Sequence, residues 1–442
     1  MKRQLKTIGI IAEYNPFHNG HRYQIEEIRR QTGAEKIIVV MGGYFLQRGI
    51  PAFTDKYLRT EMALSCGADL VFELPTVFST ASAEYFAFGG VSLLHQLGCV
   101  DGICFGSECG DLAALSAIAD YLVSEPEDYV QKLRSLVSEG VSYPAARSRI
   151  LLHTFPEIFS AFPDILTAPN NILAIEYLKA VKELDSPLMP FTVRRNDHGY
   201  HAERSRGEFL SASSIREMVL HPQTDTPSLS ADNSGNFPFS KYIPPEVDSL
   251  LSENRTHFPV TADDFSEYLF YALNTLDINH ALALSDMSRE LWHRIQNKIP
   301  DFRDFTSFTE CLRSKQYTHS RISRLLCHIL LDIRRDYLQS PFTQQKIPAL
   351  YGRILGIRAE KSALLRNVDH FPLINKLADT RKILEQYAAD KLSDEEKQQT
   401  FLSLANAHLQ VDLRAAALYR RSLYCKNGTV LPEEHRAGVI RY

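Results

Sequence analysis

The chain has 442 residues, 44% of them hydrophobic and 23% charged, with 49 Lys+Arg against 53 Asp+Glu for a formal net charge of −4. This composition excludes a wholly disordered chain, a collagen-like repeat and a disulfide-dense secreted scaffold, and it is long enough for two or three domains. The near-neutral balance excludes a chain that is basic throughout, yet leaves room for a local basic patch.

The opening MKRQLKTIGIIAEYNP carries an apolar run of only about five residues, short of the roughly 7–15 of a signal peptide. No run of about 18 uncharged apolar residues follows, so neither leader nor membrane span is expected, and the expected compartment is the cytoplasm. Residues 6–13 read as a buried strand, 21–32 as a helix and 36–43 as a second strand. A helix from Asp55 to Cys66, a strand at 68–75, a helix over 80–97 and a strand at 100–106 continue the alternation, with a helix from near Asp111. Short apolar strands separated by helices predict βαβ units and a parallel sheet covered on both faces. A helical stretch is expected over 126–183, a late strand at 187–195, and a turn entering a helix at 210–219.

Residues 221–245 hold five prolines and four serines with little periodicity and read as a linker or surface loop. Beyond them, 246–442 is mostly helical by pattern, with helices expected over 262–276, 281–297, 320–339, 348–366 and 380–424. The expected division is 1–220 for a catalytic domain and 246–442 for a helical, partly basic region. Between 311 and 366 stand eleven Lys/Arg and three Asp/Glu, interleaved with Tyr317, His319, His328, Tyr337 and Tyr351. Arg321, Arg324, Arg334 and Arg335 make this an electrostatic footprint for RNA phosphates; a solvated helical face is the alternative. The seven cysteines contain no CxxC pair and read as small buried residues in a reducing compartment.

The chemistry concentrates in residues 9–30, GIIAEYNPFHNGHRYQIEEIRR. A buried strand ends at Glu13, a turn runs through Asn15, Pro16 and Phe17, and His18-Asn19-Gly20-His21 opens a helix. A helix start offers free N–H groups and a positive dipole end to phosphate. Gly20 removes a side chain where a nucleotide must approach closely. Two histidines three apart lie on one helical side, where they can stabilise charge during displacement at phosphorus. HxGH directly after the first strand of a parallel sheet resembles the signature of the HIGH-type nucleotidyltransferase superfamily. Downstream, Leu210-Ser211-Ala212-Ser213-Ser214-Ile215-Arg216 resembles the ISSTxIR-type turn of such enzymes, with Ser213 where Thr is common. Its hydroxyls and Arg216 suit phosphate oxygens. No GxxxxGK[ST], no GxGxxG after the first strand, no GxSxG and no HExxH are present.

A closer resemblance rests on EYNPFHNGH at 13–21, GGYFLQRGIPAFTDKYLRTEMAL at 42–64, ELP at 73–75, FGSE at 105–108, APNNILAIEYLKA at 168–180 and the SASSIR turn, and more loosely on YTHSRISRLLCHILLDI at 317–333. Together these are similar to the bacterial tRNA(Met) cytidine acetate ligase family. The resemblance implies a Rossmann-like α/β domain followed by a mostly helical region. It also implies a two-step reaction, in which acetate and ATP form acetyl-adenylate and the acetyl group passes to the wobble cytidine of elongator tRNA(Met). His18 and His21 are then the catalytic pair on the α-phosphorus. The ATP contact implied runs from Ile11 and Ala12 through Glu13, Tyr14, Asn15, Pro16, Phe17, His18, Asn19 and Gly20 to His21. Gly106 joins it at the end of a core strand, with Asn170 and Asn171 near ribose or acetate unless they only cap a helix. Arg194 and Arg195 lie near polyphosphate unless they are solvent charges at a strand end, and Ser211, Ser213 and Arg216 complete the set. Arg48 and Lys56 read as loop or structural residues. Mg²⁺ is implied by ATP chemistry and by no ligand cluster, and no protein partner is implied. Two alternatives remain open at this point: a cofactor-pathway adenylyltransferase, and a non-catalytic RNA-binding protein on the same scaffold.

Overall fold

Each of the five strands expected in the first half forms. In the computed structural model, which describes residues 5–195, 209–221, 237–368 and 370–442, β1 (Thr7–Ala12) leads into α1 (Asn19–Thr32), and β2 (Lys36–Gly42) into α2 (Lys56–Ser65). β3 (Leu70–Leu74) is followed by α3 (Thr76–Ser79) and α4 (Ala83–Gln96), and β4 (Gly102–Ser107) by α5 (Leu112–Ser124). The expected helical stretch divides into α6 (Glu127–Ser138), α7 (Tyr143–Thr154), α8 (Pro156–Ala161) and α9 (Pro169–Glu183), and β5 (Met189–Arg194) closes the unit. All five strands pair in parallel, with β1 between β2 and β4. Continuous burial along β2 and β3 marks a sheet covered on both faces.

The second half corrects one expectation. Residues 348–366 are not a helix: Gly352–Ile357 form β6, antiparallel to β3, and a 3₁₀ segment follows at Ala359–Asn367. The run GRILGI is apolar without helical spacing and all six residues are buried, which suits an inner strand. The short strands β7 (Leu373–Ile374) and β8 (Ile440–Arg441) pair with opposite ends of β6. The sheet is therefore mixed, in the order β5-β4-β1-β2-β3-β6-β7.

The other helices of the second half are α10 (Ala212–Leu220), α11 (Pro245–Glu253), α12 (Ser266–Thr275), α13 (Ile278–Ala283), α14 (Arg289–Lys298), α15 (Phe305–Leu312), α16 (His319–Leu331), α17 (Thr380–Lys391) and the 33-residue α18 (Glu395–Asn427). Most of the expected linker, 222–236, lies outside the described residues. One core packs α4, α5, α9 and α18 on one sheet face, a second packs α1, α2 and α11 on the other, and α12–α16 form a third.

A buried quartet ties the halves together. The Lys56 ammonium sits 2.7 Å from Glu73 and 2.9 Å from Glu434, and Arg353 sits 3.2 Å from Glu73 and 2.6 Å from Glu434. All four side chains are at most 5% exposed. The Tyr44 and Tyr57 hydroxyls donate to Glu434 at 3.0 and 3.2 Å. Buried charge persists only when paired and hydrogen-bonded in this way. All seven cysteines are free, and no described helix is long and apolar enough to cross a membrane.

Candidate active site

The strand order reverses at β1, whose neighbours β2 and β4 run outward in opposite directions along the sheet. The crevice beyond the carboxyl ends of β1 and β4 is where open α/β sheets hold ligands. A small cleft opens there, lined by Gly20, Tyr23, Gln24, Gly106, Val193, Arg194, Arg195 and Phe209. A side chain at position 106 would bring a Cβ to 3.0 Å from the Arg195 stem, so glycine lets that guanidinium cross the mouth of β4.

The two histidines form the start of α1. His18 is the N-cap, and its Nδ1 accepts from the Gly20 N–H at 3.0 Å. His21 is the N3 residue, and its Nδ1 accepts from the His18 N–H at 3.2 Å. This is a capping box built from imidazoles where Ser and Glu usually serve. The rings stack at 3.7 Å, and His21 also meets Tyr14 and Phe17 at 4.8 and 5.3 Å. Since each Nδ1 accepts, each neutral ring carries its proton on Nε2. Burial, then the His18 and Arg195 charges, push His21 well below the usual imidazole range. His21 is thus held as a neutral N–H donor at neutral pH.

Two guanidiniums set the preceding turn. Arg59, fully buried on α2, donates to the carbonyls of Glu13 (2.7 Å), Gly42 (2.9 Å) and Gly43, joining the ends of β1 and β2. Arg216 on α10 donates to the Asn15 carbonyl at 2.6 Å and to Ser213 Oγ at 3.1 Å. Asn15 Oδ1 accepts from the Phe53 N–H at 2.6 Å, and the Glu13 carboxylate accepts from the Gln47 N–H at 2.9 Å. Ser211 Oγ caps α10 through the Ser214 N–H. The Tyr14 hydroxyl is buried without a hydrogen-bond partner among the described residues, and burial raises its pKa. Its ring serves as a wall for His21.

Asn170 and Asn171 are held by Glu108 of the FGSE segment. The Glu108 carboxylate accepts from the Asn170 N–H (3.1 Å), the Asn170 amide (2.7 Å) and the Asn171 N–H (2.8 Å), so it caps α9. Asn171 Oδ1 accepts in return from the Glu108 and Cys109 N–H groups, and the residue is 2% exposed. Of the two, Asn170 reaches a residue of the cleft: Arg195 Nη1 lies 3.5 Å from its Oδ1. Arg194 is exposed and Arg195 half-buried.

The basic residues of the second half do not act alike. Arg321 lies over the Tyr317 ring at 5.1 Å, and Arg334 is exposed beside Asp336 at 3.1 Å. Arg335 is exposed and donates to the Met287 carbonyl at 3.1 Å. Arg324 turns inward toward Asp286 at 3.6 Å with 13% of its side chain exposed. None of these four lines the cleft. Sequence reasoning missed Arg59, Glu108, Tyr23, Gln24 and Phe209. Only Glu108, one residue past a strand end in FGSE, gave a signal that could have been read.

The profile of the HIGH nucleotidyl transferase family matches residues 5–430. A tRNA(Met) cytidine acetate ligase from Acetivibrio thermocellus is 37% identical over 397 residues, covering 88% of this chain and 92% of its own. One from Clostridium perfringens is 36% identical over 392 residues, covering 86% and 92%. The crystal structure of Thermotoga maritima TmcAL bound with alpha-thio ATP superposes with a TM-score of 0.84 at 26% identity, covering 99% of this chain and all of that one.

Proposed function

The chain belongs to the tRNA(Met) cytidine acetate ligase family of HIGH nucleotidyl transferases, and from that membership we propose that it joins acetate to the wobble cytidine of elongator tRNA(Met) at the expense of ATP. An acetate oxygen attacks the α-phosphorus, the bond to the β-phosphate oxygen breaks, and pyrophosphate leaves. The exocyclic amine of cytidine then attacks the acetyl carbonyl, AMP departs with the bonding pair, and the amine loses a proton. The product is N4-acetylcytidine.

The observation that carries this reading is the imidazole capping box at the switch-point cleft. We assign His18 and His21 to the α-phosphate through their Nε2–H donors, which cost no reorganisation as charge builds at phosphorus. Ile11 to Phe17, Asn19 and Gly20 supply the backbone floor, Gly106 the opening, and Asn170 a polar edge toward ribose. Arg194 and Arg195 neutralise the polyphosphate. Ser211, Ser213 and Arg216 hold the turn and the leaving pyrophosphate, and Asn171 supports them from within the protein. Arg321, Arg334 and Arg335 are assigned to tRNA phosphates, with Arg324 a supporting residue of the same helix. Among the described residues no group of three or more His, Cys, Asp or Glu is gathered for a metal ion. Mg²⁺ commonly binds through substrate phosphates with few protein ligands, and here it would enter with the ATP phosphates. A cytoplasmic location suits a tRNA substrate. Acetate-dependent exchange of pyrophosphate into ATP tests the first step; exchange that ignores acetate refutes it.

A further inference from the structure

The segment Leu46–Pro51 between β2 and α2 folds back on itself. The Leu46 N–H donates to the Ile50 carbonyl at 2.9 Å, and the Gly49 N–H to the Leu46 carbonyl at 2.8 Å. Its base is fixed to the nucleotide cleft by the Gln47 N–H on the Glu13 carboxylate. Its far side is fixed to α16, where Ser323 Oγ donates to the Gly49 carbonyl at 3.3 Å. Gly49 has φ +71°, and a Cβ there would fall 2.4 Å from the Arg324 backbone, so only glycine allows this seating.

Arg48 stands at the tip of that rigid loop, exposed and without a hydrogen bond or ion pair to any described residue. Burial lowers the pKa of Arg216, and the Arg48 charge nearby lowers it further, while Glu13 opposes them. Arg48's neighbour Gln47 is bonded to Glu13 at the start of the turn that holds the cleft, and its other neighbour, Gly49, touches the helix that carries Arg321.

We propose that Arg48 contacts the RNA backbone where the substrate nucleotide enters the adenylate cleft, between Arg321 of α16 and the reaction site. This rests on the tRNA reading above. A phosphodiester is the chemistry that an exposed guanidinium on a fixed loop recognises, since phosphate contacts orient nucleic acid without reading its sequence.

The test is filter binding of tRNA(Met) to the wild type, Arg48→Gln and Arg48→Lys at several salt concentrations, beside acetate-dependent ATP–pyrophosphate exchange. Arg48→Gln is expected to bind about tenfold more weakly near 0.1 M salt, with a log–log salt slope shallower by about one. Arg48→Lys restores most of the slope, and exchange stays at the wild-type level in both. Unchanged affinity and slope in Arg48→Gln would overturn the proposal. So would loss of exchange, which would assign Arg48 to the nucleotide. If wild-type exchange proves independent of acetate, the proposed function falls, and the salt slope still decides what Arg48 touches.

Discussion

Replacing His21 by alanine removes two things that a second substitution can separate. His21 Nδ1 accepts the His18 N–H at 3.2 Å, and losing such a cap interaction costs about 1 kcal/mol of stability. Its ring stacks on His18 and edges against Tyr14, contacts worth about 0.5–1.5 kcal/mol beyond area. Its Nε2–H is the donor assigned to the α-phosphate, and losing one such preorganised donor costs about 2.7–4 kcal/mol in the transition state, or roughly 10²–10³ in kcat. His21→Ala is therefore expected to lose about 1–2 kcal/mol of stability and most of the pyrophosphate exchange. Glutamine is the residue that fills N3 in ordinary capping boxes. His21→Gln should regain much of the stability, read as the denaturant midpoint, while exchange stays low. If exchange returned together with stability, the ring would be a cap and nothing more. Exchange by His21→Ala within about threefold of wild type, against the 10²–10³ expected for a lost donor, would remove it from the chemistry altogether.

Because His21 is held neutral, exchange should show no inflection near pH 6.5, the ordinary imidazole value; a rise on acidification through that pH in the exchange profile would mean an imidazolium is required. The linked effect on stability has a definite sign. A histidine whose folded pKa is depressed contributes no penalty above about pH 6.5, and stability falls as the pH drops from there toward the folded value, which denaturant midpoints across that window would record. Arg216→Ala frees the Asn15 carbonyl and Ser213, so steady-state kinetics should show the KM for ATP rising more than that for tRNA; a change in tRNA KM alone would move the turn to the RNA site. Lys56→Met leaves Glu73 and Glu434 to share Arg353 in a buried site, at a cost of about 3–5 kcal/mol. Its thermal midpoint should drop well below wild type, and an unchanged midpoint would mean the quartet contributes no net stability.

The five parallel strands and the HNGH helix start were legible because their signals are local: bounded apolar runs, and a motif that follows one of them. That the two histidines cap their own helix reciprocally was not, since it depends on ring orientation and not on spacing. The quartet shows the same limit at longer range. Lys56 could be read as structural, but Glu434, which it pairs with, and Arg353, which shares its carboxylates, lie about 380 and 300 residues away in the chain, and no pattern around Lys56 announces them. Residues 348–366 misled because a short apolar run does not distinguish a buried strand from a buried helix. Charge counting weighed Arg321 and Arg324 equally, whereas Asp286 draws Arg324 inward and leaves Arg321 on its tyrosine. Asn170 and Asn171 were read as a pair near the ligand, yet Glu108 holds both, and only Asn170 also reaches Arg195 of the cleft while Asn171 is buried.

The central claim is that this cleft activates acetate and delivers it to one nucleotide of tRNA. Mass spectrometry of elongator tRNA(Met) incubated with the protein, ATP and isotopically labelled acetate tests it most directly. The account predicts a single labelled acetyl group on the wobble cytidine, dependent on ATP and absent with His21→Ala. Unlabelled tRNA from a protein that still exchanges pyrophosphate, or label on any other nucleotide, would contradict it.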